Sequence, residues 1–134
     1  MIPRLFNETV LTLEKALDLR GRRHELLVSN ITNQDTPGYE AKDLRFEEVL
    51  RAAASISPGG IVKTNPRHLP GAGGIAGAEG EVVIRDNPAG YDGNRVNVEQ
   101  EMSHMAENSL MYNTSAQLIA KKFQGLVYAI REGR

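Results

Sequence analysis

No cysteine occurs among the 134 residues, which excludes a disulfide scaffold, a thiolate metal site and a thiol nucleophile. No apolar run approaches the roughly 18 residues that a membrane-crossing helix needs. A dominant sign of charge is missing as well. Sixteen Lys and Arg against seventeen Asp and Glu leave a formal net charge of −1, so composition offers no electrostatic footprint for nucleic acid or acidic lipid. The N-terminal stretch also lacks the form of a cleavable signal peptide, because Arg4, Glu8, Glu14 and Lys15 interrupt its apolar positions. The expectation is a chain that stays in the cytosol or leaves by a route that reads no such signal.

What is present is a matched pair of heptad stripes at the two ends. In the C-terminal region Val98, Met102, Met105, Ser109, Tyr112, Ala116, Ile119, Phe123, Leu126 and Ile130 recur in alternating steps of four and three. That spacing keeps them on one helical seam. In the N-terminal region Phe6, Val10, Leu13, Leu17, Leu27 and Ile31 follow the same step, with Arg20 and His24 filling two seam positions. The first helix is expected from about Pro3 to Asn30. Pro3 suits its first turn, and Gly21 costs the helix about 1 kcal/mol against Ala. The second is expected to begin near Asn97, where Asn97 and Gln100 resemble a capping box. The fold class that follows is mainly α, with the two terminal helices paired as a coiled-coil-like hairpin.

Between the helices lies most of the glycine and proline. Thr36-Pro37-Gly38-Tyr39 reads as a type II turn, with Pro fixing φ and Gly supplying φ > 0. Leu44 to Ala54 reads as a short amphipathic helix using Leu44, Phe46, Val49, Leu50 and Ala53. Two β-prone runs, Ile61–Thr64 and Glu81–Ile84, flank the Gly/Ala-rich stretch 71–80 and suggest a small two-stranded element. The organisation is therefore residues 1–31 as an N-terminal helix, 32–93 as turn, short helix and Gly/Pro-rich middle, and 94–134 as a C-terminal helix.

A seam formed by two helices leaves apolar residues over. Leu5, Leu11, Leu19 and Leu26 fall on the far side of the first helix, and Leu110, Met111 and Leu118 on the far side of the second. Single exposed leucines mean nothing, but a row of them on each helix suggests a second face for other copies or other proteins. Arg20 and His24 within the seam point the same way.

Four candidate constellations weaken on inspection. Glu101-Met102-Ser103-His104 has the Glu-x-x-His spacing of carboxylate-bridged di-iron bundles, but the seam register turns His104 outward. Gly71 to Ala76 matches G-x-G-x-x-A without the strand and helix that fingerprint requires. His24, His68 and His104 are too dispersed to argue a nucleophilic triad, and Arg20, Arg22 and Arg23 read as a solvated or salt-bridged face beside Asp18 and Glu25. Neither cofactor, metal nor catalytic residue is expected. The rival readings are a metal-binding helical bundle and a soluble coiled-coil adaptor.

Two segments carry a resemblance. Asn30-Ile31-Thr32-Asn33 followed by Asp35-Thr36-Pro37-Gly38-Tyr39, with Asp43 and Phe46 downstream, resembles the N-terminal signature of flagellar rod and hook proteins. Asp92-Gly93-Asn94-Arg95-Val96-Asn97-Val98-Glu99, with Glu101-Met102, Glu107-Asn108, Tyr112, Lys122-Phe123 and Ala129-Ile130, resembles the C-terminal helix of that family's proximal rod branch. Thr64 to Leu69 is similar to the branch's middle, and Thr32 stands where Ala is common. The signature residues are Asn30, Asn33, Thr36, Pro37, Gly38 and Tyr39. The resemblance implies a structural protein of the bacterial flagellar basal body, a periplasmic rod near the inner membrane, exported without a cleaved signal. It implies terminal helices stacked as an axial layer. The partners implied are further copies, other proximal rod proteins, the adaptor to the membrane ring, the type III export gate and the rod-cap protein, with no nucleic acid or small-molecule substrate.

Overall fold

Alternating steps of four and three do build two long helices. The computed structural model describes residues 8–48, 50–51, 79–86 and 95–132. Helix α1 spans Glu8–Thr32, strand β1 Lys42–Arg45, strand β2 Glu81–Ile84 and helix α2 Val98–Glu132. α1 and α2 pack against each other as an antiparallel pair: Asn30 near the end of α1 bonds Glu101 near the start of α2, and Asn108 bonds the Arg20 carbonyl. No helix among the described residues is long and apolar enough to cross a membrane.

The helix ends are satisfied as their sequences suggest. Asn97 Oδ1 accepts the Gln100 amide at 3.2 Å, capping α2. At the end of α1, Asn33 Nδ2 donates to the Ser29 carbonyl at 2.8 Å, so one of the orphan acceptors of the last turn is covered. The Thr36 carbonyl accepts the Tyr39 amide across Pro37-Gly38, and Gly38 has φ +74°. This is the type II turn expected there.

The segment after the turn differs from expectation. Leu44 belongs to β1 and not to a helix; among the described residues downstream 47, 48, 50 and 51 are helical, while Val49, Ala53 and the rest of 52–54 lie outside the described residues. β1 pairs antiparallel with β2 in the register Lys42↔Ile84 to Arg45↔Glu81, so the partner of Glu81–Ile84 is β1. Ile61–Thr64 and residues 71–78 lie outside the described residues. Alternation explains the change of periodicity: residues two apart on extended chain share a side, and Leu44 and Phe46 both close on Leu19, with Leu26 and Leu50 packed around them. Burying Leu19 and Phe46 is worth about 1.5–3 kcal/mol each. Gly80 permits the pairing, since a Cβ there would lie 2.7 Å from Leu44 Cγ.

Candidate functional site

Three polar side chains, Asn30, Glu101 and Asn108, are as inaccessible as the apolar core. Burial of such groups is costly without partners: those of Asn30 and Glu101 join α1, β1, α2 and Arg85 just beyond β2, while Asn108 donates to the Arg20 carbonyl and its Oδ1 has no partner among the described residues. Asn30 Nδ2 donates to the Lys42 carbonyl at 2.7 Å and to Glu101 Oε2 at 2.8 Å. Its Oδ1 accepts the Lys42 amide at 2.9 Å and the Tyr39 hydroxyl at 3.2 Å. One amide thus fastens β1, the turn and α2 to the end of α1.

A chain of alternating charges runs beside it. Arg23 of α1 grips Asp43 of β1 through Nε at 2.8 Å and Nη2 at 3.0 Å. Asp43 also meets Arg85, just beyond β2, at 2.7 Å, and Arg85 reaches Glu101 of α2. Burial pushes the Asp43 carboxyl up, but the hydrogen bonds from Arg23 and Arg85 outweigh it and hold it below its ordinary value. Asp43 raises Arg23 through the same hydrogen bond. Removing one member leaves its neighbour's charge partly buried and unpaired, which destabilises the fold. The junction's chemistry is mechanical: it fixes the angle of the sheet against the helix pair. Among the described residues no group of acidic or histidine side chains is arranged to hold a metal, and Glu101 is committed to Asn30 and Arg85.

The junction also shifts the seam. Glu101 and Asn108 face α1, while Met102, expected there, is 56% exposed. Stepping from Glu101 through Met105, Asn108 and Tyr112 keeps the heptad with its first half displaced by one residue. Val10 and Leu27 are buried, and Leu13, Leu17, Ile31, Met105, Ile119 and Leu126 half-buried; Tyr112, Phe123 and Ile130 are exposed. Phe6 and Leu5 lie outside the described residues. Of the far-side set, Leu19 is wholly buried and Leu26 packs against its cluster, so both are covered from within the chain and not left for a neighbour. The hairpin occupies that side of α1. Leu11, Leu110, Met111 and Leu118 remain exposed. In the turn, Asn30 is buried, Asn33 and Tyr39 half-buried, and Thr36, Pro37 and Gly38 exposed.

Arg85 carries no signal in the sequence, Asn108 enters only through the family resemblance, and Glu101 lies outside the expected seam. The available signal was a second heptad frame, one residue out of step, whose polar members made it look inferior. The helix pair also leaves space beside Gly21. A cleft of about 440 Å³ between the helices is lined by Arg20, Gly21, His24, Asn108, Ser109 and Tyr112 among others, and a Cβ on Gly21 would touch nothing.

No family model matches the chain. Curated relatives do. The chain is 42% identical over 120 residues to the flagellar basal body rod protein FlgB of Cereibacter sphaeroides, covering 87% of this chain and 89% of that one. It is 37% identical over 118 residues to that of Aeromonas hydrophila, 87% of each, and 34% identical over 126 residues to that of Escherichia coli K12, 90% of this chain and 91% of that one.

Proposed function

This chain belongs to the FlgB family of flagellar basal body rod proteins, and from that premise we propose that it is a structural subunit of the proximal rod, with no catalytic role. Its terminal helices stack with those of neighbouring subunits into a tube that links the membrane ring and export apparatus to the distal rod. Its neighbours are further copies, the other proximal rod proteins, the ring adaptor and the type III export gate, with the rod-cap protein as a transient contact. Its place is the periplasmic rod near the inner membrane, reached without cleavage of a signal. Residues 1–31 and 94–134 form the axial layer in this reading, and 32–93 the region that branches from it.

The observation that carries the reading is the apolar surface left along α2. Leu110 is 66% exposed, Leu118 48%, Tyr128 63% and Ile130 74%. Uncovered apolar side chains along one long helix are what an assembly subunit presents before its neighbours arrive, and the different faces involved fit heterologous contacts that continue without closing. Deleting the gene tests it. Cells without the protein are expected to build the membrane ring and nothing beyond it, and a plasmid copy to restore the rod and motility. Complete basal bodies in the deletion strain would overturn the assignment.

A further inference from the structure

We propose that Glu101, gripped by Asn30 and Arg85, and Asn108 act together as a register pin. The pin admits one axial alignment of α1 with α2, and so fixes how far α2 runs beyond the hairpin. It is a property of the single chain and goes beyond the rod reading.

The apolar part of the seam does not choose an alignment. Met105, Tyr112, Ile119 and Leu126 stand seven residues apart along α2. In α1 Leu13 and Leu27 are fourteen apart, and Val10, Leu17 and Ile31 are separated by seven and fourteen. Sliding one helix along the other by a heptad moves it about 10 Å at 1.5 Å per residue. Equivalent apolar positions then meet again, and only a layer at one end is given up.

The polar members do not fit a second alignment. The hairpin is tied to α1 by Arg23–Asp43 and by Leu44 and Phe46 on Leu19, so Arg85 moves with α1. A slip one way sets the neutral Asn108 where Arg85 now finds Glu101. A slip the other way brings Glu101 level with Arg23, whose guanidinium is taken up by Asp43. It also carries Arg85 past the start of α2 at Val98. Either slip parts Glu101 from both Arg85 and Asn30, and a buried charge without its partner is strongly penalised. Asn108 adds a check one heptad on, where its amide reaches the Arg20 carbonyl at 2.9 Å. Its Oδ1 has no partner among the described residues, so an apolar side chain would sit there at less cost. A polar residue that weakens a helix pair while fixing its alignment is the coiled-coil device for specifying register.

The alignment sets a length. From Glu101, where the hairpin is anchored, α2 continues to Glu132, about 46 Å at 1.5 Å per residue. In a stacked tube every copy must present the same distance between branch and helix end, and a heptad slip changes it by about 10 Å. That use of the pin rests on the rod reading; the pin itself does not.

Removing the pin without stranding a charge tests it. Arg85→Leu, Glu101→Leu and Asn108→Leu in one chain leave Asp43 paired with Arg23, and Asn30 bonded to Lys42 and Tyr39. Spin labels enter through Val28→Cys and Gln124→Cys, both exposed positions in a chain without native cysteine. With Asn30 beside Glu101, the labelled positions lie about 32 Å apart along the axis at 1.5 Å per residue. Samples are diluted into unlabelled protein, so that pulsed electron paramagnetic resonance reads distances within one chain. The chain that keeps its pin should give one distance. The triple variant should keep its helix content and add a population displaced by about 10 Å. A single unshifted distance in the triple variant would overturn the pin. Loss of helix content would overturn it too, because the polar contacts would then supply stability and not alignment. Asn108→Leu alone is the milder check and should melt no lower than wild type. A fall of several degrees would remove Asn108 from the pin. Motile cells after gene deletion would refute the rod reading and leave the pin standing.

Discussion

Asn30 uses its whole hydrogen-bonding capacity, two donated and two accepted bonds, which no other side chain of its size and neutrality supplies. Its neighbour Asp43 gives the junction a pH signature. The carboxyl is held below its ordinary range in the folded chain, so its unfolded value is the higher of the two. The stabilisation is then fully present above about pH 4 and is lost as the pH falls through the depressed folded value. The melting temperature of Asp43→Asn should accordingly lie below wild type at pH 6, and the gap should close on acidification below pH 4. A gap that stayed constant down to full protonation would remove Asp43 from the ion-pair chain. Gly38 makes a simpler case. Valine at φ +74° costs about 1–3 kcal/mol, so Gly38→Val should melt several degrees lower in thermal denaturation. Unchanged melting would mean that the turn is free to flip.

At the scale of elements, the helix pair is held by fewer apolar contacts than its stripes suggest. Polar Glu101 and Asn108 occupy seam positions in α2, and Asn108 spends its amide on the Arg20 carbonyl at 2.9 Å. The cleft beside Gly21 is a direct consequence, since nothing among the described residues lies within contact of a Cβ there. Alanine there should stabilise the free protein by about 0.5–1 kcal/mol, because glycine loses more backbone freedom in a helix interior. The expected readout is a melting temperature raised by a few degrees for Gly21→Ala. A lower one would show that the backbone at that point is not regular helix. The two-stranded sheet is small enough to be marginal alone. Its stability comes from Leu44 and Phe46 on Leu19 and from the Arg23–Asp43–Arg85–Glu101 chain.

For the whole molecule the deciding feature is apolar surface left exposed among the described residues. Leu118 is 48% exposed, well beyond the junction, and its replacement by Asp leaves every intramolecular contact described above in place. Circular dichroism of Leu118→Asp should match wild type, while the variant should fail to restore motility to the deletion strain. Normal swimming would mean that this face of α2 meets no neighbour.

The sequence by itself determined both long helices, the cap at Asn97, the type II turn at Pro37-Gly38 and the family, because each depends on local periodicity, local turn chemistry or a contiguous signature. Only the tertiary structure decided the rest. Leu44 and Phe46 fit a helical face and a strand face equally well over so short a run, and the choice fell to whichever placed them on Leu19. Leu19 is buried because Leu44 and Phe46 of the hairpin cover that side of α1, and Met102 is exposed because the seam of α2 is shifted by one residue. That shift was set by Asn30, Arg85 and Glu101, residues far apart in the chain whose hydrogen bonds exist only once it has folded.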